Sequence, residues 1–170
     1  MKCLKFCFSW LILLLFISGS TYSQQSKFKA IIMYNFTKYI EWPNISNNEF
    51  IISVLDNKEL SDELKNIAKV KVVGTNKLII KDILSIDEVS HCQIVYIPQN
   101  KYKELANCIA KSGNQNVLIV TEMDNGCKNG AGINFITNEG KISFEINKNN
   151  ITNRKLILSG QLLLLGKEVN

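Results

Sequence analysis

Three short runs of this chain, Phe50 to Leu55, Gln93 to Ile97 and Val117 to Thr121, are apolar at nearly every position and rich in β-branched residues. A strand wetted on one side alternates apolar and polar residues, whereas a strand covered on both sides has no need to. The first run ends in Asp56-Asn57 and the second in Pro98. Each is then followed by apolar residues at helical spacing: Leu60, Leu64, Ile67 and Ala68 after the first, and Tyr102, Leu105, Ala106, Ile109 and Ala110 after the second. Strands buried on both faces and separated by helices of about ten residues pair in parallel beneath those helices. The fold class is therefore α/β, and the expected architecture is a single-domain three-layer sandwich around a largely parallel sheet.

The remaining segments fit that frame. From Ser26 to Glu41 the residues Phe28, Ile31, Ile32, Phe36, Tyr39 and Ile40 recur at spacings of three and four, with Lys27, Lys29 and Lys38 between them, which predicts an amphipathic helix. Pro43 ends it near Trp42, and Asn44 to Asn48 reads as a polar turn. Val70 to Val73 and Lys77 to Ile80 flank the turn Gly74-Thr75-Asn76 and read as short strands. Gly132 to Ile136 and Lys141 to Asn147, around Asn138-Glu139-Gly140, predict a C-terminal β-hairpin. Leu156, Leu158, Leu162, Leu163 and Leu165 predict a closing helix from about Thr152 to Glu168.

Met1 to Lys5 is a short basic start, Phe6 to Ile17 an almost unbroken apolar run, and small residues follow. That order is the signature of a secretory signal peptide, expected over residues 1–23 with cleavage after Ser23, or alternatively after Ser20. The apolar run falls short of the roughly 20 residues a spanning helix needs. One domain, residues 24–170, remains. The formal net charge of +5 is mild and scattered, and Lys2 and Lys5 leave with the signal, so nothing argues for a nucleic-acid partner. Cys3 and Cys7 leave with it too. Cys92, Cys108 and Cys127 stay, an odd number in a chain bound for an oxidising compartment, so either one pair closes or all three are reduced core residues.

No catalytic or metal centre emerges. His91, the only histidine, stands directly before Cys92, and neighbours on a strand face opposite ways, which denies a Cys-His pair. One histidine and three scattered cysteines hold no zinc spacing. Gly126, Gly130 and Gly132 match neither a dinucleotide nor a phosphate-loop pattern and read as a turn into the hairpin. Glu122 and Asp124 read as solvated loop acids, and Asn35, on the apolar side of its helix, as a brace for a neighbouring loop. The aromatic concentration Tyr34, Tyr39 and Trp42 suits either core packing or a partner or ligand surface.

The run Phe28-Lys29-Ala30-Ile31-Ile32-Met33-Tyr34-Asn35-Phe36-Thr37-Lys38-Tyr39-Ile40-Glu41-Trp42-Pro43 resembles the opening helix of the YfiR-like family of periplasmic proteins. The resemblance continues in order through Phe50 to Leu55, Cys92 to Ile97, Val117 to Thr121, Ile133-Asn134-Phe135, Ile142 to Asn147 and Leu156 to Leu163. It implies a periplasmic adaptor without chemistry or cofactor of its own. The best understood member holds down a membrane-bound diguanylate cyclase, so the partner implied is a membrane signalling protein, such a cyclase or a sensor kinase, and some members form homodimers. The closely spaced cysteine pair of that member has no counterpart here, because Cys127 stands alone. Cys92 opens a strand and Cys108 lies on the helix that runs back over it, which makes them the expected disulfide if one forms. A small-ligand module is the second reading, with its pocket at the carboxyl ends of the parallel strands near Asp56, Pro98 and Glu122.

Overall fold

The computed structural model describes residues 19–43, 45, 48–89, 91–113 and 115–170, with side chains from residue 24 onward. The basic start and apolar run of the expected signal, with Cys3 and Cys7, lie outside the described residues, as do Asn44, Ser46 and Asn47 of the expected turn.

Helix α1 spans Gly19–Tyr39 and gives way to strand β1, Ile40–Glu41. The helix stops short of Glu41 because Ile40 and Glu41 pair antiparallel with Leu158 and Ile157. Strand β2, Glu49–Leu55, is buried at every position from Phe50. Helix α2, Lys58–Ala68, follows it and is capped by Asn57, whose side chain accepts from the Leu60 N–H at 3.0 Å. Then come β3, Val72–Val73; β4, Asn76–Ile83; a 3₁₀ turn at Ile86–Glu88; β5, Ile94–Ile97; a second 3₁₀ turn at Gln99–Lys101; helix α3, Glu104–Ser112; and β6, Leu118–Thr121. The chain finishes with β7, Ile133–Asn138; β8, Lys141–Ile146; α4, Lys148–Thr152; β9, Ile157–Leu158; α5, Gly160–Leu165; and β10, Lys167–Glu168.

The main sheet has eight strands in the order β10-β8-β7-β6-β5-β2-β4-β3. β4, β2, β5, β6 and β7 are mutually parallel, as the doubly apolar runs require. β8 returns antiparallel through the expected hairpin, and β3 is an antiparallel edge.

Alternation along the strands divides the core in two. Phe50, Ile52 and Val54, with Ile94, Tyr96, Leu118, Val120, Ile133 and Phe135, face α1 and α2. Ile51, Leu55, Val95, Ile97 and Ile119 face α3 and the Ile86 turn. The architecture is thus the expected three-layer sandwich.

The closing helix is corrected. Instead of one helix over Thr152 to Glu168, the chain makes α4, β9, α5 and β10. Lys155 takes a left-handed backbone, φ 60°, which no helix interior accommodates. Gly160 and Gly166 bracket α5, and a Cβ on Gly166 would meet the Phe144 ring at 2.5 Å, so only glycine lets β10 pass so close to β8.

Candidate functional site

The carboxyl end of the sheet carries the densest polar construction in the described residues. Tyr96 lies in β5 with its ring in the core, and its hydroxyl reaches past the strand end to donate to Glu122 Oε2 at 2.6 Å. Glu122 follows β6 directly. Lys29 of α1 donates to both its oxygens, at 2.6 and 2.7 Å. A carboxylate held from three donor contacts is a brace between the sheet and its covering helix, not the solvated loop acid the sequence suggested. Burial, and secondarily the Glu122 charge, push the Tyr96 phenol well above its ordinary range, so it remains a donor.

Beside this brace, β6 stops at Thr121, which pairs with Asn134, while β7 runs on to Asn138. Asn134 is only 3% exposed. Its Oδ1 accepts from the Thr121 hydroxyl at 2.7 Å and from the Met123 N–H at 3.0 Å. A backbone N–H can only donate, so the amide orientation is fixed with the oxygen toward Met123. Gly126 closes over this pair, where any Cβ would strike Thr121 Oγ1 and Asn134 Oδ1. Farther along the loop, the Asn150 side chain donates to the Cys127 and Ala131 carbonyls, both at 2.8 Å. The Gly-rich run is therefore a rigid turn leading into the hairpin.

Asn134, Ile136 and Glu145 lie on the face of β7 and β8 opposite the α1 core, and α3 does not extend over them. A cleft of about 570 Å³ occupies this uncovered face, walled by Glu122, Asp124, Lys128, Asn134, Glu145 and Lys167. A second trough of about 620 Å³ adjoins it, sharing Gln99, Met123 and Asp124 and ending at Tyr102. Of the three residues expected to mark a strand-end pocket, Glu122 lines the cleft. Asp56 instead pairs with Lys101 at 2.9 Å, and Pro98 contributes only through its neighbour Gln99.

The other singled-out residues are dispersed. Trp42 is buried against Phe50, ring centroids 4.8 Å apart, and its Nε1 donates to the Gln93 carbonyl at 3.0 Å. It is a core residue and offers no surface, which corrects the aromatic surface in part. Tyr34 and Tyr39 are half-buried, and the Tyr34 hydroxyl ties α1 to the Val72 carbonyl on the edge strand at 3.1 Å. Asn35 braces no loop and accepts from Lys38 of its own helix at 2.8 Å. His91 is exposed while Cys92 beside it is buried.

Cys92, Cys108 and Cys127 are free, buried thiols, so the expected Cys92–Cys108 bridge is not made. Burial pushes Cys92 up to about 11 and Cys108 and Cys127 up to about 12. The thiolate, the species that attacks, is suppressed in all three. Arg154 is buried nearby, donating to the Ser112 hydroxyl at 2.8 Å at the end of α3.

The surface signal missed by periodicity is apolar. Phe28 and Ile31 on α1 are 49% and 42% exposed, and Leu164 on α5, which packs against α1, is 87% exposed. Helical spacing placed Phe28 and Ile31 on a core face, whereas the residues of α1 that reach the sheet are Ala30, Met33 and Phe36.

No curated protein matches the sequence. A solved structure of a conserved domain protein from Vibrio cholerae O1 biovar El Tor is similar in fold, with a TM-score of 0.56 at 11% identity. The likeness covers 85% of this chain and 60% of that one, so this chain spans less than two thirds of its length. Among the described residues no helix is long and apolar enough to cross a membrane. Residues 26–167 match the YfiR/HmsC-like family, a regulatory rather than catalytic family of the periplasm. The match takes in every element from α1 to the start of β10, and the chain belongs to the YfiR/HmsC-like family.

Proposed function

We propose that this chain is an exported regulator that controls a membrane signalling protein by direct contact, without catalysing a reaction. Residues 1–23 serve as its signal peptide in this reading, and its partner is the exported part of a diguanylate cyclase or sensor kinase. The observation that carries the reading is the exposed apolar surface on two helices packed together, Phe28 and Ile31 of α1 with Leu164 and Leu165 of α5. Large apolar side chains left in water on two adjoining helices suit a contact surface. Family membership supports the same conclusion.

The test is affinity capture of the tagged, exported protein from its own cell envelope, in detergent with light cross-linking. The expected result is recovery of a membrane cyclase or kinase by the parent protein and its loss with Phe28→Asp or Leu164→Asp, both substitutions at positions already in water. Capture that survives both variants, or a parent protein recovered only as monomer or dimer, would overturn the reading.

A further inference from the structure

Strand β4 is paired unequally on its two sides. Toward β2 the ladder runs from Glu49↔Lys77 to Leu55↔Ile83. Away from β2 it meets only β3, whose Val72 and Val73 face Lys77 and Asn76. The sheet order ends there, so from Leu78 onward the outer edge of β4 has no neighbouring strand among the described residues.

The ends of β4 fix which backbone groups lie on that edge. The Lys77 N–H donates to the Asn48 carbonyl, and the Ile83 carbonyl accepts from the Asp56 N–H, so the odd positions turn toward β2. Residues of a parallel strand present their amide and carbonyl to alternate sides. Leu78, Ile80 and Asp82 therefore turn theirs outward, and no turn or loop backbone among the described residues bonds to them. Such a row of N–H and C=O groups at strand spacing is matched by another extended backbone. Ile79 and Ile80 are half-buried beside it, and Val70 and Val72, 76% and 56% exposed, continue the apolar margin.

Charge selects the occupant. Asp82, the acid of the strand itself, is held by Lys65, and Glu49 lies across from Lys77 on β2. Lys69, Lys71 and Lys81 enter no ion pair among the described residues. A second copy suits this edge poorly. Two-fold antiparallel pairing centred on Ile79, Ile80 or Lys81 sets Lys81 opposite Lys77 of the copy, diagonal to the copy's Lys81, or directly opposite it. The lysines thus guard the edge against its own kind and favour an incoming strand that carries carboxylates.

We propose that the outer edge of β4, from Leu78 to Asp82, takes an extended acidic segment of a partner protein as an added strand. This edge is separate from the apolar surface on α1 and α5, so its failure leaves the contact reading untouched.

The experiment follows amide hydrogen exchange by nuclear magnetic resonance in the isotope-labelled, exported protein. The probe is a peptide about ten residues long, glutamate alternating with valine and threonine, and its control carries lysine for glutamate. The acidic peptide slows exchange at Leu78, Ile80 and Asp82 at least about tenfold, and the basic one does not. Lys81→Glu weakens binding about fivefold. Ile80→Pro removes an outward donor and no ladder bond to β2, and it weakens binding about tenfold. Thermal unfolding checks that both variants fold. No slowing at about 1 mM acidic peptide, equal slowing by both peptides, or binding unchanged in Lys81→Glu would each overturn the proposal. So would amides already slow in the protein alone and freed on dilution, which would assign the edge to a second copy.

Discussion

The face of the sheet under α1 and α2 holds every large core aromatic, including Phe36, Phe50, Phe135, Phe144, Trp42 and Tyr96. The face under α3 holds none of these and includes Cys92 and Cys108. The first face is covered from β4 across to the hairpin, where Phe36 stacks on Phe135 with centroids 6.1 Å apart and meets Phe144 edge-on at 5.3 Å. Cover on the second face ends near β6. One side of the molecule is thus closed by large, mutually packed rings. The other is closed by aliphatic side chains and thiols, without aromatic rings, over part of its width, and the polar cleft lies where the cover stops. The comparison teaches that the site is a consequence of unequal roofing: a sheet widened by a hairpin but given no further helix leaves polar β7 and β8 positions facing outward.

The largest test of that inequality is a pair of truncations. Phe36→Ala should cost about 3–5 kcal/mol, and Leu105→Ala, under α3, about 2–4 kcal/mol, read by urea unfolding. Equal costs, or the reverse order, would break the comparison.

Alkali should act on both faces, through the buried Tyr96 phenol on the first and the buried thiols on the second. A thiol whose folded pKa is raised keeps its proton where the unfolded chain has lost it, so its stabilisation is complete below the ordinary value of 9.0 and is lost as pH climbs toward about 11 for Cys92 and about 12 for Cys108. Each thiol therefore contributes a slope of about 1.4 kcal/mol per pH unit within its window. Urea midpoints taken at intervals above pH 9 should show a decline that Cys108→Ala makes shallower. An unchanged slope in that variant would remove the thiols from the explanation.

The smallest effect lies at the hairpin that widens the sheet. Asn138 and Lys141 face each other across a two-residue turn whose Glu139 and Gly140 take φ 49° and 78°. Asparagine tolerates that geometry better than glutamate, so Glu139→Asn should stabilise the fold by about 0.5 kcal/mol, seen as a raised melting temperature.

What was legible in the sequence follows the same division. β2, β5 and β6 are apolar on both sides because both sides are covered, and that pattern needs no partner to be read. The closing helix was misread because leucines at helical spacing occur equally in short pieces. Leu156 packs in the core while Ile157 and Leu158 pair with β1, and only Gly160, Gly166 and the turn at Lys155 signal the breaks. Glu122 looked solvated because Lys29, the residue that holds it, lies in a segment whose own pattern puts lysines outside. Asn134 had a local signal, a polar residue between Ile133 and Phe135 in an apolar strand, but its partners Thr121 and Met123 become neighbours only through parallel pairing.

The brace at Glu122 also fixes an order of events. Lys29 and Glu122 are 93 positions apart, and β1, at the end of α1, pairs with β9 near the other terminus. α1 meets α2 and Val72 early in the chain, but its ties to Glu122 and β9 do not exist until those later segments have formed. Contacts closing so long a loop incur a large entropic penalty before they return anything, so the locking of α1 onto Glu122 and β9 should be a late, slow step of folding. Until it occurs, the part of the ring-lined face over β7 and β8 is incompletely covered, and the interval before closure is when the chain is most open to mispairing with its own copies.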